Sequence, residues 1–327
     1  MALQSSGQIS LNDIHVEVGG SSGSEVSLND TDVRALISKS AGAQNAINEY
    51  YGASAETDLG DSVSSQINGQ NQLHQITVSN YISSGGTLRI PSDLWVWTNS
   101  TGTAAMTIDI PCTIINEGKI IGCGGTGGYY NRGVPTYNAA QAGGPAINVT
   151  SSGVTITNSS GAYIAGGGGG GGGSADYGDP QDYNSGGGGG AGGGAGGQGE
   201  IGNPGAGGIL NASGGHTTHR QTGNVQYSNG GGAGGGAGGS DQSNAGGGGG
   251  GRILPGTGGY GGYNFNRGGS AGNAGEGGDN HQSGGGGGWG AAGGSGRGTG
   301  NSGGAGGAAI TGTSRTLTNN GTIYGST

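Results

Sequence analysis

The sequence predicts a small α-helical N-terminal module, an all-β middle region, and a glycine-rich sandwich of polyglycine-II helices closed by a C-terminal β rung. Three observations predict it. Glycine supplies 92 of 327 residues and runs unbroken over 166–173, 186–190, 246–251 and 284–288. Apolar and polar residues alternate with period two from Leu73 onward, the signature of half-buried strands. A strand–turn–strand repeat stands at both edges of the glycine field.

Composition sets the limits. With 29% hydrophobic residues the chain cannot build an ordinary apolar core along its whole length. The net charge of −9 and ten scattered Lys and Arg residues give no basic stripe for nucleic acid, and the Arg-Gly pairs at Arg132, Arg267 and Arg297 are too sparse for an RNA-binding tail. No apolar run is long enough to span a membrane, and no basic stretch followed by an apolar one opens the chain, so a soluble, unprocessed protein is expected. Cys112 and Cys123 are too few for a disulfide-stapled scaffold; they are expected as small buried side chains, with pairing across neighbouring strands as the alternative.

Residues 1–53 carry Ser10-Leu11-Asn12-Asp13 and again Ser27-Leu28-Asn29-Asp30. Ser three residues before Asp is an acidic capping box, so each copy should start a helix, the second running to about Ser40 with Val33, Leu36 and Ile37 on one face. A third turn ends at Tyr50-Tyr51. So small a core is marginal alone, and Leu11, Ile14, Val33, Leu36, Ile37, Tyr50 and Tyr51 are the candidates for contact with a partner. Residues 54–72, polar with few apolar anchors, read as a linker.

The β region, 73–165, contains Gln75–Val78, Thr87–Ile90, Leu94–Trp97, Met106–Ile110 and Thr113–Ile115 as short strands. Ile115-Asn116-Glu117-Gly118-Lys119-Ile120-Ile121-Gly122 then recurs around Asn158 and, after the glycine field, around Asn319, as Thr318 to Gly325. Each copy is a rung of a β-solenoid or a stacked hairpin. Packing of such rungs pins the two ends of the field, and residues 310–327 form the closing rung.

Within the field, 166–309, polyglycine-II helices have three residues per turn and can bond sideways where no Cβ intervenes. Inner helices should be all glycine; outer ones should keep glycine at every third position. Gly199, Gly202, Gly205 and Gly208 do so, as do Gly256, Gly259 and Gly262, and Gly269, Gly272, Gly275 and Gly278. Ala191 and Ala195, and likewise Ala233 and Ala237, spaced by four, depart from this rule, and their methyl groups are expected to be tolerated at the rim. A disordered linker or an elastic, silk-like material are the other readings; seven prolines and no sustained period argue against collagen.

The interruptions are rich in Tyr, Asn, Ser, His and Arg, the composition of a binding surface built on rigid supports. The candidates for receptor contact are Tyr130, Arg132, Tyr137, Tyr177, Asp179, Tyr183, His216, His219, Arg220, Tyr227, Tyr263, Phe265, Arg267 and His281. His216 and His219 lack a clear third ligand, so no metal is assigned, and no cofactor. No nucleophile with a base at recognisable spacing appears, so no catalytic residue is assigned.

Asn-x-Gly-x-Ile-x-Gly rungs passing into glycine runs broken by polar loops resemble the distal tail-fibre adhesins of T-even-like bacteriophages. The opening Ser-Gly-Gln-Ile-Ser-Leu-Asn-Asp segment, with its second Ser-Leu-Asn-Asp and its Tyr-Tyr-Gly, is similar to a module at the start of phage tail and fibre proteins. The resemblance implies a non-enzymatic virion component at a tail or fibre tip. Its N-terminal module would dock on other tail or fibre proteins, and its loops would meet a bacterial outer-surface receptor, protein or glycan. A purely structural tail component and an ice-binding glycine-helix protein are the alternatives.

Overall fold

The computed structural model describes residues 3–37, 39–40, 42–53, 55–63, 66–67, 70–131, 136–173, 186–197, 269, 272–277, 283–296, 302–312 and 314–327. In the N-terminal module the first repeat caps α1 (Leu11–Glu17) as its sequence predicts. Asp13 N–H donates to Ser10 Oγ at 3.1 Å, and Ser10 N–H donates to Asp13 Oδ2 at 2.8 Å. The second copy makes only half of this box, Ser27 N–H to Asp30 Oδ2 at 2.8 Å, and α2 spans Thr31–Ala35. It stops short of Ser40 because the buried Arg34 guanidinium draws the chain around itself, Nη1 donating to the carbonyls of Ser40 at 3.0 Å and Ala43 at 2.6 Å. Ile47–Tyr50 forms one 3₁₀ turn. Leu3, Ile9, Ile14, Val33 and Tyr50 meet in a core of their own.

From β1 (Glu56–Asp58) the chain winds through three sheets in a fixed cycle. The strands that follow are β2 (Gln66–Ile67), β3 (Gln70–His74), β4 (Ile76–Thr77), β5 (Thr87–Ile90), β6 (Leu94–Trp97), β7 (Met106–Ile108), β8 (Thr113–Asn116) and β9 (Lys119–Ile121). After the β10 (Tyr129–Asn131) and β11 (Thr136–Asn138) hairpin come β12 (Ile147–Val149), β13 (Val154–Asn158) and β14 (Tyr163–Ala165). β15 (Ile310–Gly312), β16 (Arg315–Asn319) and β17 (Thr322–Tyr324) close the set. The first sheet runs β1-β5-β8-β13-β16, the second β17-β14-β9-β6-β3-β2, the third β15-β12-β7-β4.

Apart from β2 with β3, pairing within these three sheets is parallel, which a stacked hairpin cannot give. The region is a three-sided β-solenoid. Period-two alternation sends one apolar ladder inward from each sheet: Leu88, Ile114, Ile156 and Leu317; Leu73, Val96, Ile120, Ile164 and Ile323; Ile76, Met106, Ile147 and Ile310.

The recurring asparagines of the repeat stack in register. Asn116 Nδ2 donates to Asn158 Oδ1, and Asn158 Nδ2 to Asn319 Oδ1, each at 2.8 Å. They also reach the carbonyls of Tyr163 and Thr322. A buried amide is thereby held by partners of its own kind.

Residues 54–72, read as a linker from their polarity, contribute strands to the first coil. Glu56–Asp58 pair with Thr87–Arg89, and Asn71 and Gln72 with Leu94 and Trp95. Their polar side chains bond neighbouring coils, Asp58 with Arg89 at 3.1 Å and Asn71 with Asp93 at 2.5 Å.

Both glycine-rich insertions leave the second sheet and re-enter the third, one between β9 and β12, the other between β14 and β15. They depart from one corner of the solenoid.

Candidate functional site

The insertions pack into one hydrogen-bonded array centred on residues 166–173. Gly167 and Gly170 donate to Gly144 and Gln141, Gly168 and Gly171 to Ala191 and Gly188, and Gly169 and Gly172 to Ala291 and Gly294, all at 2.7–2.9 Å. The same residues accept at the same interval of three: Gly168 and Gly171 from Gly125 and Gly128, Gly167 and Gly170 from Gly307 and Gly304, and Gly169 and Gly172 from Gly287 and Gly284. Bonds recurring every third residue on every side leave no room for side chains. A Cβ on Gly167 would lie 1.8 Å from the Cys123 carbonyl oxygen, and one on Gly170 2.0 Å from that of Thr126.

Gly269, Gly272 and Gly275, picked out by their spacing, donate to Gly286, Trp289 and Ala292, while Asn273 and Glu276 between them are exposed. The other spaced glycines, 199–208, 256–262 and Gly278, lie outside the described residues, as do Ala233 and Ala237. Ala191, expected at a rim, is fully buried.

The array has two ends of different chemistry. At the solenoid end the turns at Ala191–Gly193 and Trp289–Gly290 meet the outer face of the second sheet. There Trp95, Ile121, Ala165, Ala191 and Trp289 form a second apolar cluster, with Trp97 and Tyr324 packed against it. Sequence reasoning missed this joint, although the lone Trp289 directly after a glycine run was a usable signal.

At the other end Gly128, Gly173, Gly187, Gly197 and Gly296 adjoin. Gly187 N–H donates to the Gly128 carbonyl at 2.9 Å; a Cβ on Gly197 would lie 2.2 Å from that oxygen, and one on Gly296 2.2 Å from the Gly173 carbonyl. Ser283 Oγ donates to the Gly186 carbonyl at 2.7 Å. The described segments that flank 129–138, 174–185, 278–282 and 297–301 therefore end side by side, away from the solenoid.

Tyr130 and Tyr137 occupy facing positions of the β10–β11 hairpin, within the first of those spans. The side chains of both lie outside the described residues. So do Arg132, Tyr177, Asp179, Tyr183, His216, His219, Arg220, Tyr227, Tyr263, Phe265, Arg267 and His281.

Of the candidates for virion contact, Ile14, Val33 and Tyr50 are fully buried in the module's own core, so their apolar character serves folding. Leu11, Leu36 and Ile37 pack half-buried against it. Tyr51 is 37% exposed, its hydroxyl donating to the Gly7 carbonyl, and Val16 and Ile47 are also exposed.

Next to Ile47 lies a polar cleft lined by Asn29, Arg34, Lys39, Asn45, Asn48 and Glu49. Arg34 binds Asn29 there, and Lys39 pairs with Glu49, whose carboxyl is held below its usual range by that bond. Among the described residues no group of three or more His, Cys, Asp or Glu could hold a metal ion. Cys112 and Cys123 are both free and buried, and burial pushes each thiol up to about 11.

The solenoid thus carries a hydrogen-bonded glycine array, at whose far end several described chain segments stop side by side. Residues 47–243 match the family model of the phage tail fibre adhesin Gp38, and the chain belongs to that family. It is thus a bacteriophage tail-fibre adhesin, a virion component. Among solved structures it is similar to the gp37-gp38 adhesin tip complex of the bacteriophage S16 long tail fiber, at 21% identity over 99% of each chain and a TM-score of 0.44. No curated protein sequence matches it.

Proposed function

We propose that the chain is a non-enzymatic adhesin at the tip of the fibre, binding a receptor on the bacterial outer surface through loops at the far end of its glycine array. The observation that carries this reading is the adjacency of Gly128, Gly173, Gly187, Gly197 and Gly296, which brings the points where separate loops leave the array next to one another. The array itself is read as a sandwich of polyglycine-II helices, supported by bonds that recur every third residue on all sides of residues 166–173. A scaffold this crowded holds its loops still, and aromatic loop residues then bind at low entropy cost. Tyr130, Tyr137, Tyr177 and Tyr183 are the aromatic anchors of the reading; Arg132, Asp179 and His281 supply polar contacts from the same spans.

The N-terminal module would hold the adhesin to another tail-fibre protein. The exposed apolar side chains Val16, Ile47 and Tyr51 suit that contact better than the buried Ile14, Val33 and Tyr50. Exchanging residues 174–185 and 209–229 between related phages tests the receptor reading: host range should follow the loops, and an unchanged host range overturns it.

One observation favours the ice-binding alternative. Thr155, Thr157, Thr316 and Thr318 form two outward rows on the first sheet. The row of Thr157 and Thr318 is broken at Ile115 and Arg89, and an ice-recrystallisation assay should show no inhibition.

A further inference from the structure

The last coil of the solenoid touches both ends of the glycine field. Gly166, where the field begins, donates its N–H to the Tyr324 carbonyl at 2.9 Å. Ala309 and Ile310, where it ends, donate to the Ser326 carbonyl at 2.9 and 3.2 Å. Between these contacts the Tyr324 side chain packs into the joint with Trp95, Ile121 and Trp289, and a Cβ on Gly272 would lie 3.4 Å from its ring. The Trp289–Gly290 turn is fitted to the same segment: a Cβ on Gly290 would lie 2.2 Å from Gly325 N, and Gly290 N–H bonds the Gly166 carbonyl at 2.9 Å. Gly325 itself sits at φ +106, against the Gly307 carbonyl.

On the solenoid side the coil is fastened by means that do not involve glycine. β16 pairs with β13 over five residues, Asn158 bonds Asn319 and the Thr322 carbonyl, and β17 pairs with β14. Leu317 and Ile323 lie over Ile156 and Ile164, two of the buried residues that fill the interior of the preceding coil.

We propose that residues 310–327 are a clasp. This segment docks on the solenoid after the field has been made, and by binding entry, exit and the Trp289 turn together it fixes the array in a single orientation. The order of events follows from connectivity. β15, β16 and β17 pair with β12, β13 and β14, which lie on the far side of the whole field in sequence, so docking of this segment closes the longest loops of any strand pairing among the described residues. Tyr324 acts through the array and is a positioning residue for the far-end loops. This role rests on the receptor reading only for its consequence in adhesion, not for the clasp itself.

Amide hydrogen exchange on the full chain, compared among wild type, Tyr324→Ala and Tyr324→Phe, tests it. The alanine variant should speed exchange at least tenfold in Gly166–Gly173 and Gly284–Gly296, while Leu88–Ile90 and Met106–Ile108 keep wild-type protection; the phenylalanine variant, which keeps the ring, should restore it. Uniform loss of protection in Tyr324→Ala would leave Asn319→Leu, which loosens the coil from Asn158 without touching the joint, as the deciding variant, with the same two groups of amides read. Unchanged exchange in the glycine segments of Tyr324→Ala, or in Asn319→Leu an acceleration equal in both groups, overturns the clasp. Cell adhesion measured on the same proteins separates the two ideas: a clasp seen by exchange with adhesion unaffected leaves the clasp standing and removes the receptor reading.

Discussion

Substituting alanine at Gly170 tests whether the array is as crowded as its bonds imply. The added Cβ would sit 2.0 Å from the Thr126 carbonyl oxygen, whereas ordinary contact begins near 3.4 Å, so the facing segment must retreat by more than an ångström. That oxygen belongs to backbone, and no rotamer change can move it aside. The retreat stretches the flanking bonds from Gly125 to Gly168 and from Gly128 to Gly171, both now 2.8 Å. At about 0.5–1.5 kcal/mol net per backbone bond, with neighbouring bonds disturbed on the other sides, Gly170→Ala should cost roughly 2–5 kcal/mol. Gly277→Ala is the matched control. There, among the described residues, the Cβ would find only the Ser295 carbonyl at 3.7 Å, an ordinary contact, so the change should be neutral or stabilise by up to about 1 kcal/mol through the unfolded chain. Urea unfolding of both variants under identical conditions reads the difference. Equal stabilities for the two would refute the close-packed array.

Other outcomes follow from the solenoid. Asn158→Leu leaves Asn116 Nδ2 without its side-chain acceptor in a buried site and should destabilise by about 1–3 kcal/mol in urea unfolding. Asp109 accepts from the Ser79 hydroxyl and N–H, which holds its carboxyl below 3.8. Its contribution is therefore complete above that value and is lost as pH falls through the lowered pKa, so Asp109→Asn should flatten the acid limb of a stability profile below about pH 4. With both thiols pushed up to about 11 by burial, Cys112 and Cys123 should resist a thiol reagent at pH 8 in the folded protein and react after unfolding.

Local rules carried the sequence a long way where chemistry and spacing act over a few residues. The Ser10–Asp13 box, the strands from Thr87 to Ile115 and the repeated asparagine turns all stand where alternation and capping put them. Parallel stacking was half legible, because a strand–turn–strand repeat also suits a hairpin until its partners are known. The second helix ended early through Arg34, whose contacts with Ser40 and Ala43 no periodicity encodes. Polarity misled at Glu56–Asp58 and Asn71, since an outward strand face can be as hydrophilic as a linker. The amphipathic residues of the N-terminal module were legible as a cluster, but their partner was one another: Ile14, Val33 and Tyr50 close a core. Trp289 and Tyr324 escaped notice because their contact depends on where both edges of the field return to the solenoid.

The proposed function puts the adhesive surface at the far end of the array, and blocking of phage adsorption by the purified chain measures whether it lies there. The wild-type chain should compete with phage particles for sensitive cells. A Tyr177→Ala, Tyr183→Ala double variant should lose that competition at least tenfold, with unchanged urea unfolding and unchanged amide exchange in Gly166–Gly173. Full competition by the double variant, and likewise by chains with residues 174–185 or 209–229 exchanged, would contradict the claim.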